Sequence, residues 1–128
     1  MTRIYHILES CDAVVLGSPV YFDTVSAQVK LMIDRTNCLM PYTQRPNGSF
    51  ASTRRIKKKK RGVFIAVAGE EQEFQTILAT VQGFFNWANI TFVDTILYTH
   101  GDTEYGAVEN DAKMMNKAFQ VGAQLVSG

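Results

Sequence analysis

Two unbroken apolar runs, Ala13–Leu16 (AVVL) and Gly62–Ala68 (GVFIAVA), constrain the fold of this chain more than any other feature. A strand with one wet face alternates apolar and polar residues, whereas a strand buried on both faces does not. Each run ends in residues that interrupt a strand: Gly17-Ser18-Pro19 after the first and Gly69 after the second. Pro19 has no N–H for a ladder and biases Ser18 away from helix, so the first strand is expected to stop there. A third strand fits Ile90–Tyr98, which is rich in β-branched and aromatic residues.

The segments between these runs carry helical spacing. Ile4, Ile7, Leu8 and Cys11 predict an amphipathic helix over Met1–Ser10. Val25, Val29, Met32 and Ile33 predict a second over Val25–Arg35, with Asp23 or Thr24 as its N-cap. Phe74, Ile77, Leu78, Val81 and Phe85 predict a third within Gln72–Ala88. Ala112, Met115, Phe119, Gly122 and Val126 predict a closing helix over about Asn110–Val126. Cys38–Lys60 has no clear period and contains Pro41, Pro46 and Asn47-Gly48, so it reads as a long surface excursion. The order α-β-α-β-α-β-α implies an α/β fold: a short parallel sheet with right-handed crossovers and helices on both faces. Ligands in such folds sit beyond the carboxyl ends of the strands. Three loops therefore matter: Gly17–Thr24, Ala68–Gln72 and Thr99–Val108.

A chain of 128 residues suits one domain, 1–128. No apolar run reaches the roughly 18 residues of a membrane helix, and the first ten residues lack a signal-peptide core, so a cytoplasmic protein without a membrane partner is expected. Cys11 and Cys38 are far apart and belong to no CxxC, which favours two free thiols; with His6 and His100 they offer no metal-ligand spacing. Seven of the thirteen basic residues lie in Arg54–Arg61 (RRIKKKKR), leaving the rest of the chain with six basic and twelve acidic residues. Such a run suits a nucleic-acid ligand, but it has no interleaved aromatic residues and no recognisable binding fold around it. A solvated linker into the second strand is the preferred reading, with no nucleic-acid partner. Phe84, Phe85 and Trp87 exceed one helix face, so Phe84 or Trp87 packs under a neighbouring loop or meets a second copy of the chain.

The loop after the first strand is the most informative segment. Gly17 allows a tight turn, Pro19 stiffens it, Ser18 offers a hydroxyl, and Tyr21 and Phe22 place two rings beside a helix N-terminus. Rings against a flat face and backbone N–H groups at its edge suit a planar ligand; the same rings could also simply cover the end of the sheet. Leu16–Arg35 (LGSPVYFDTVSAQVKLMIDR) resembles the flavin-contacting strand-loop-helix of NAD(P)H-dependent FMN reductases, in particular the flavodoxin-like branch that includes the iron–sulfur flavoproteins. The likeness continues through Phe64–Gly69 (FIAVAG), Phe84-Phe85-Asn86-Trp87 and the Gly101–Ala118 tail.

That resemblance implies a flavodoxin-like three-layer sandwich, with FMN as cofactor and NAD(P)H as electron donor. Ser18, Pro19, Val20, Tyr21 and Phe22 match the loop that wraps the isoalloxazine and ribityl part of FMN. Ala68 and Gly69 match the second flavin loop, with His100 and Gly101 as secondary candidates on the third. No general acid is implied, because the cofactor carries the chemistry. The family pattern also begins with a strand and a Ser/Thr-rich phosphate-binding loop, and neither precedes the first helix here. The expectation is therefore a truncated, partial flavodoxin-like domain whose FMN reductase activity is weakened or lost. Its first strand, Ala13–Leu16, would be a bare apolar edge, covered by a homo-oligomeric partner. The alternatives are a non-catalytic, self-associating remnant and a nucleic-acid-binding protein.

Overall fold

The computed structural model describes residues 1–99 and 105–127. Its elements are α1 (Thr2–Ser10), β1 (Ala13–Tyr21), β2 (Thr24–Val25), α2 (Ala27–Arg35), β3 (Tyr42–Gln44), β4 (Phe50–Ser52), β5 (Lys60–Ala68), α3 (Gln75–Trp87), β6 (Ile90–Thr99) and α4 (Ala112–Val126). Short 3-10 turns cover Thr36–Leu39 and Ala107–Asn110. The main sheet has the order β2-β1-β5-β6: β1, β5 and β6 run parallel, and β2 folds back antiparallel on the end of β1. This is the parallel sheet expected from the apolar runs.

Alternation along the strands feeds two cores. Val14, Leu16, Phe64 and Ala66 pack with α1, α2 and α3, through Leu8, Met32, Ile77, Val81 and Phe85. Ala13, Val63, Ile65 and Ile96 pack with α4, through Met114, Ala118, Val121 and Leu125. The result is a three-layer α/β sandwich of the flavodoxin-like kind.

Four expectations need correction. The first strand does not end at Leu16 or Ser18 but runs through Pro19 to Tyr21. The backbone N–H of Arg61 donates to the Asp12 carbonyl, so even-numbered residues of β1 turn their polar groups toward β5 and odd-numbered ones turn theirs away. Pro19 lacks its donor on the side where no strand needs it. Helix α2 starts at Ala27, with the Ser26 hydroxyl accepting from the Val29 N–H. Val25, the expected first helical residue, instead pairs with Val20 and is buried at 2% exposure.

The stripe assigned to α4 was one residue out of phase. Met115, Phe119 and Val126 are exposed, while Val121 and Leu125 are buried. Two apolar sets of equal spacing occur on this helix, so period alone could not choose between them.

The Cys38–Lys60 excursion is also more than a loop. It contains the β3–β4 hairpin and two core anchors, Leu39 at 0% and Ile56 at 1% exposure. Its basic run is solvated at Arg55, Lys57, Lys58 and Lys59, as expected of a linker into β5, yet it is also tied to its neighbours. Arg54 donates to Asn89 Oδ1 and to the Asn86 carbonyl, Arg55 pairs with Glu9, and Lys58 pairs with Asp12. Lys60 is buried, with its ammonium donating to the Lys58 carbonyl. Three of the seven cations, Arg54, Arg55 and Lys58, thus lace the run to the ends of α1 and α3.

Phe84 and Phe85 are both buried, and the half-buried Trp87 donates from Nε1 to the Asn37 carbonyl, so loop packing accounts for this aromatic group. Both cysteines are free thiols. Among the described residues, no helix is long and apolar enough to cross a membrane.

Candidate functional site at the strand ends

Parallel strands bring their carboxyl ends to one edge of the sheet. Here Tyr21 ends β1, Ala68 ends β5 and Thr99 ends β6; Pro19 lies opposite Val67, and Ala68 lies opposite Thr99. The predicted residues of the first and second loops therefore reach neighbouring strand ends.

The first loop is a two-residue hairpin turn. Tyr21 pairs with Thr24, and Phe22 and Asp23 between them have φ of 49° and 59°. Positive φ at both central positions is the turn whose twist matches paired strands, and it ordinarily selects Asn-Gly or Asp-Gly. Phenylalanine there is strained, because a side chain in the left-handed region meets its own carbonyl at a cost of roughly 1–2 kcal/mol. No packing offsets this: Phe22 is fully exposed and Tyr21 is 60% exposed. Two unpacked rings on a strained turn are consistent with a surface made for a ligand rather than for the core.

Ser18 has a different role from a ligand donor. It is 5% exposed; its hydroxyl donates to the Pro19 carbonyl and accepts the backbone N–H of Ser26 at 2.9 Å. It ties the strand to the start of α2 and so fixes the hairpin between them. Val20 is half-buried and packs against the α1–α3 core, and Pro19 is exposed at the sheet edge. Ala68 is buried at 3% exposure, whereas Gly69 is exposed, with open space where a Cβ would point. His100 and Gly101 lie outside the described residues. Sequence reasoning missed the strained turn and Tyr105, a fully exposed ring in the connection after β6. An aromatic residue in a loop following a strand was the available signal.

A groove of about 590 Å³ lies elsewhere: between α2 and α3, lined by Ile33, Thr36, Thr80, Phe84 and Trp87. It sits on a helical layer, away from the strand ends where parallel-sheet folds place chemistry. Among the described residues, no three of His, Cys, Asp or Glu gather as a metal site.

The strand-end site suits the flat ring of FMN and offers its phosphate no lysine or arginine. Exposed rings beside buried Ala68 and open Gly69 suit a flat heterocycle. A phosphate needs cations or a helix N-terminus. Residues 17–24, 68–74 and 105–110 contain no Lys or Arg, and the second loop carries Glu70, Glu71 and Glu73.

The chain is similar to several known proteins. An iron-sulfur flavoprotein of Archaeoglobus fulgidus is 38% identical over 69 residues; the match spans 54% of this chain and 26% of that protein. The solved structure of the Trp repressor binding protein from Bacillus subtilis superposes with a TM-score of 0.65 at 19% identity, covering 99% of this chain and 70% of the other. General stress protein 14 from Treponema denticola, solved in complex with FMN, superposes with a TM-score of 0.62 at 13% identity, covering 97% and 70%. These two likenesses establish the shared fold. Residues 1–104 match the family described as NADPH-dependent FMN reductase, and the chain belongs to that family.

Proposed function

We propose that this chain cradles the isoalloxazine ring of FMN at the carboxyl ends of β1 and β5, within an NAD(P)H-dependent flavin oxidoreductase. The observation that carries the reading is the strained turn, which holds Tyr21 and Phe22 exposed at the carboxyl end of β1, the strand paired with the one that Ala68 ends. Tyr21 and Phe22 would stack on the ring and shield one face from water. Backbone groups after Ala68 would meet its polar edge. When bound, FMN supplies the redox chemistry, accepting a hydride from NAD(P)H and passing electrons onward. Ser18 positions the turn without touching the ligand.

Because the strand-end loops carry no cation, the chain by itself should bind flavin weakly and turn over slowly. Titration with FMN, riboflavin and lumiflavin, followed by quenching of flavin fluorescence, tests this. All three are expected to bind alike, near millimolar, which corresponds to about −4 kcal/mol. Tyr21→Ala should weaken all three while leaving the unfolding curve unchanged. No binding of any flavin would end the reading. FMN binding tenfold tighter than riboflavin would show that a phosphate site exists after all.

A further inference from the structure

Helix α3 carries no charged residue, although Gln75, Ala79, Gln82, Gly83 and Asn86 are all exposed on it. A helix that faces water ordinarily keeps charges on its wet side, as α1 does with Arg3 and α4 with Lys113 and Lys117. Depletion of charge marks instead a surface that a partner covers. Gly83 lies within this exposed face. Glycine weakens a helix relative to alanine, and nothing inside the chain calls for it, since a Cβ there would meet no atom within 4 Å. A bare backbone on an outer face suits the close approach of a second helix. Beside it lies the groove of about 590 Å³ between α2 and α3, floored by Ile33, Phe84 and Trp87. Leu31, on the outer side of α2, is 53% exposed. Helix α3 packs on β6, so this face stands apart from the flank of β1.

We propose that two copies of this chain pack α2 and α3 against the same two helices, antiparallel, about a two-fold axis level with Met32. Charge selects the occupant. Lys30 and Asp34 stand one turn apart on the rim of the groove, both exposed and opposite in sign. An axis across α2 midway between them sets each lysine against the aspartate of the other copy. Helix α3 gives the same height independently. Both helices follow a parallel strand and run back along the sheet, so they lie parallel to each other. Trp87 Nε1 donates to the Asn37 carbonyl, an offset of 50 residues, which puts Met32 level with Gln82, the neighbour of Gly83. The axis that pairs the charges therefore also brings the two Gly83 backbones together and sets Leu31 beside its copy. A foreign partner would need the same charge pair reversed and an uncharged helix at the same offset; a second copy carries both. A two-fold axis along the helices would instead set α2 against α3, leaving Lys30 and Asp34 to face an uncharged surface. The proposal stands whether or not flavin binds.

Sedimentation of the 128-residue chain over about 1–100 µM tests it, and a reversible dimer is expected. Lys30→Asp sets like charges across the axis and should weaken the dimer at least about tenfold. Asp34→Lys should do the same, and the two together should restore it, because the exchanged pair is again self-complementary. Gly83→Gln should dissociate the dimer while raising the urea midpoint of the dilute, monomeric chain, since glutamine is the better helix former. Phe119→Lys, on the exposed face of α4, should leave the dimer unchanged. A monomer at every concentration overturns the proposal. So does a dimer that survives Gly83→Gln, fails to return with the double exchange, or is lost with Phe119→Lys. Were Gly83→Gln to misfold, the charge exchange decides alone.

Discussion

The hydroxyl of Ser18, in the middle of a strand, accepts the backbone N–H of Ser26, the residue that caps the next helix, at 2.9 Å. One buried atom thereby closes the strand-hairpin-helix unit that carries Tyr21 and Phe22. Ser18→Ala would leave the Ser26 N–H without its partner in a nearly closed place, at a cost of about 1–3 kcal/mol. The urea midpoint should fall with the slope unchanged, and flavin affinity should fall with it. An unaltered midpoint would mean that water replaces the hydroxyl freely.

Strain at Phe22 predicts a trade-off. Its side chain packs against nothing, yet its backbone has φ of 49°. Asparagine tolerates that region better, so Phe22→Asn should stabilise the fold by roughly 0.5–1 kcal/mol while weakening flavin binding. Thermal melts and flavin titrations on the same sample separate the two effects. A less stable variant would show that the ring supports the turn rather than burdens it.

The same residues show what was legible from sequence. Unbroken apolar runs marked β1 and β5 because strands covered on both faces have no polar side to display. The site emerged at the loop after β1 because parallel strands leave their carboxyl ends open. The end of β1 was misplaced because a rule about proline in ladders cannot see which side of a strand lacks a neighbour. Helix α4 carries two apolar stripes, and only the sheet beneath it chooses Val121 and Leu125 over Phe119 and Val126. Lys60 was beyond reach for another reason. Its burial depends on Asn89, Lys58 and the end of α1 converging from distant parts of the chain.

Gly62 should accept no side chain. A Cβ there would overlap Ile90 Cγ2 and stand 2.6 Å from Phe85 Cε2, both in the core. The register between β5 and β6 shifts at the same point, so the backbone is already committed. Gly62→Ala should destabilise the fold by about 1–3 kcal/mol through overpacking. Adding Phe85→Leu should recover part of that loss, because the ring atoms in the way are removed. Losses that simply add would indicate that the backbone, not the ring, resists the methyl group.

Lys60 makes stability depend on alkaline pH. Burial holds its ammonium below the ordinary lysine value of 10.5, with Lys58 adding repulsion while Cys11 and Glu9 oppose the shift. Between the lowered value and 10.5 the unfolded chain binds a proton that the folded chain has released. Stability therefore rises with pH through that window, and the burden is complete below it. Tyr5 acts in the opposite sense, since its hydroxyl is held above 10.0, chiefly by the neighbouring Cys38 side chain. Comparing the parent with Lys60→Met cancels the tyrosine, which both proteins share. The stability of the parent relative to Lys60→Met should climb as the pH rises toward the ordinary lysine value of 10.5, read from urea unfolding at each pH. A flat difference would mean that the ammonium reaches water in the folded chain and is not held beneath the Lys58 carbonyl.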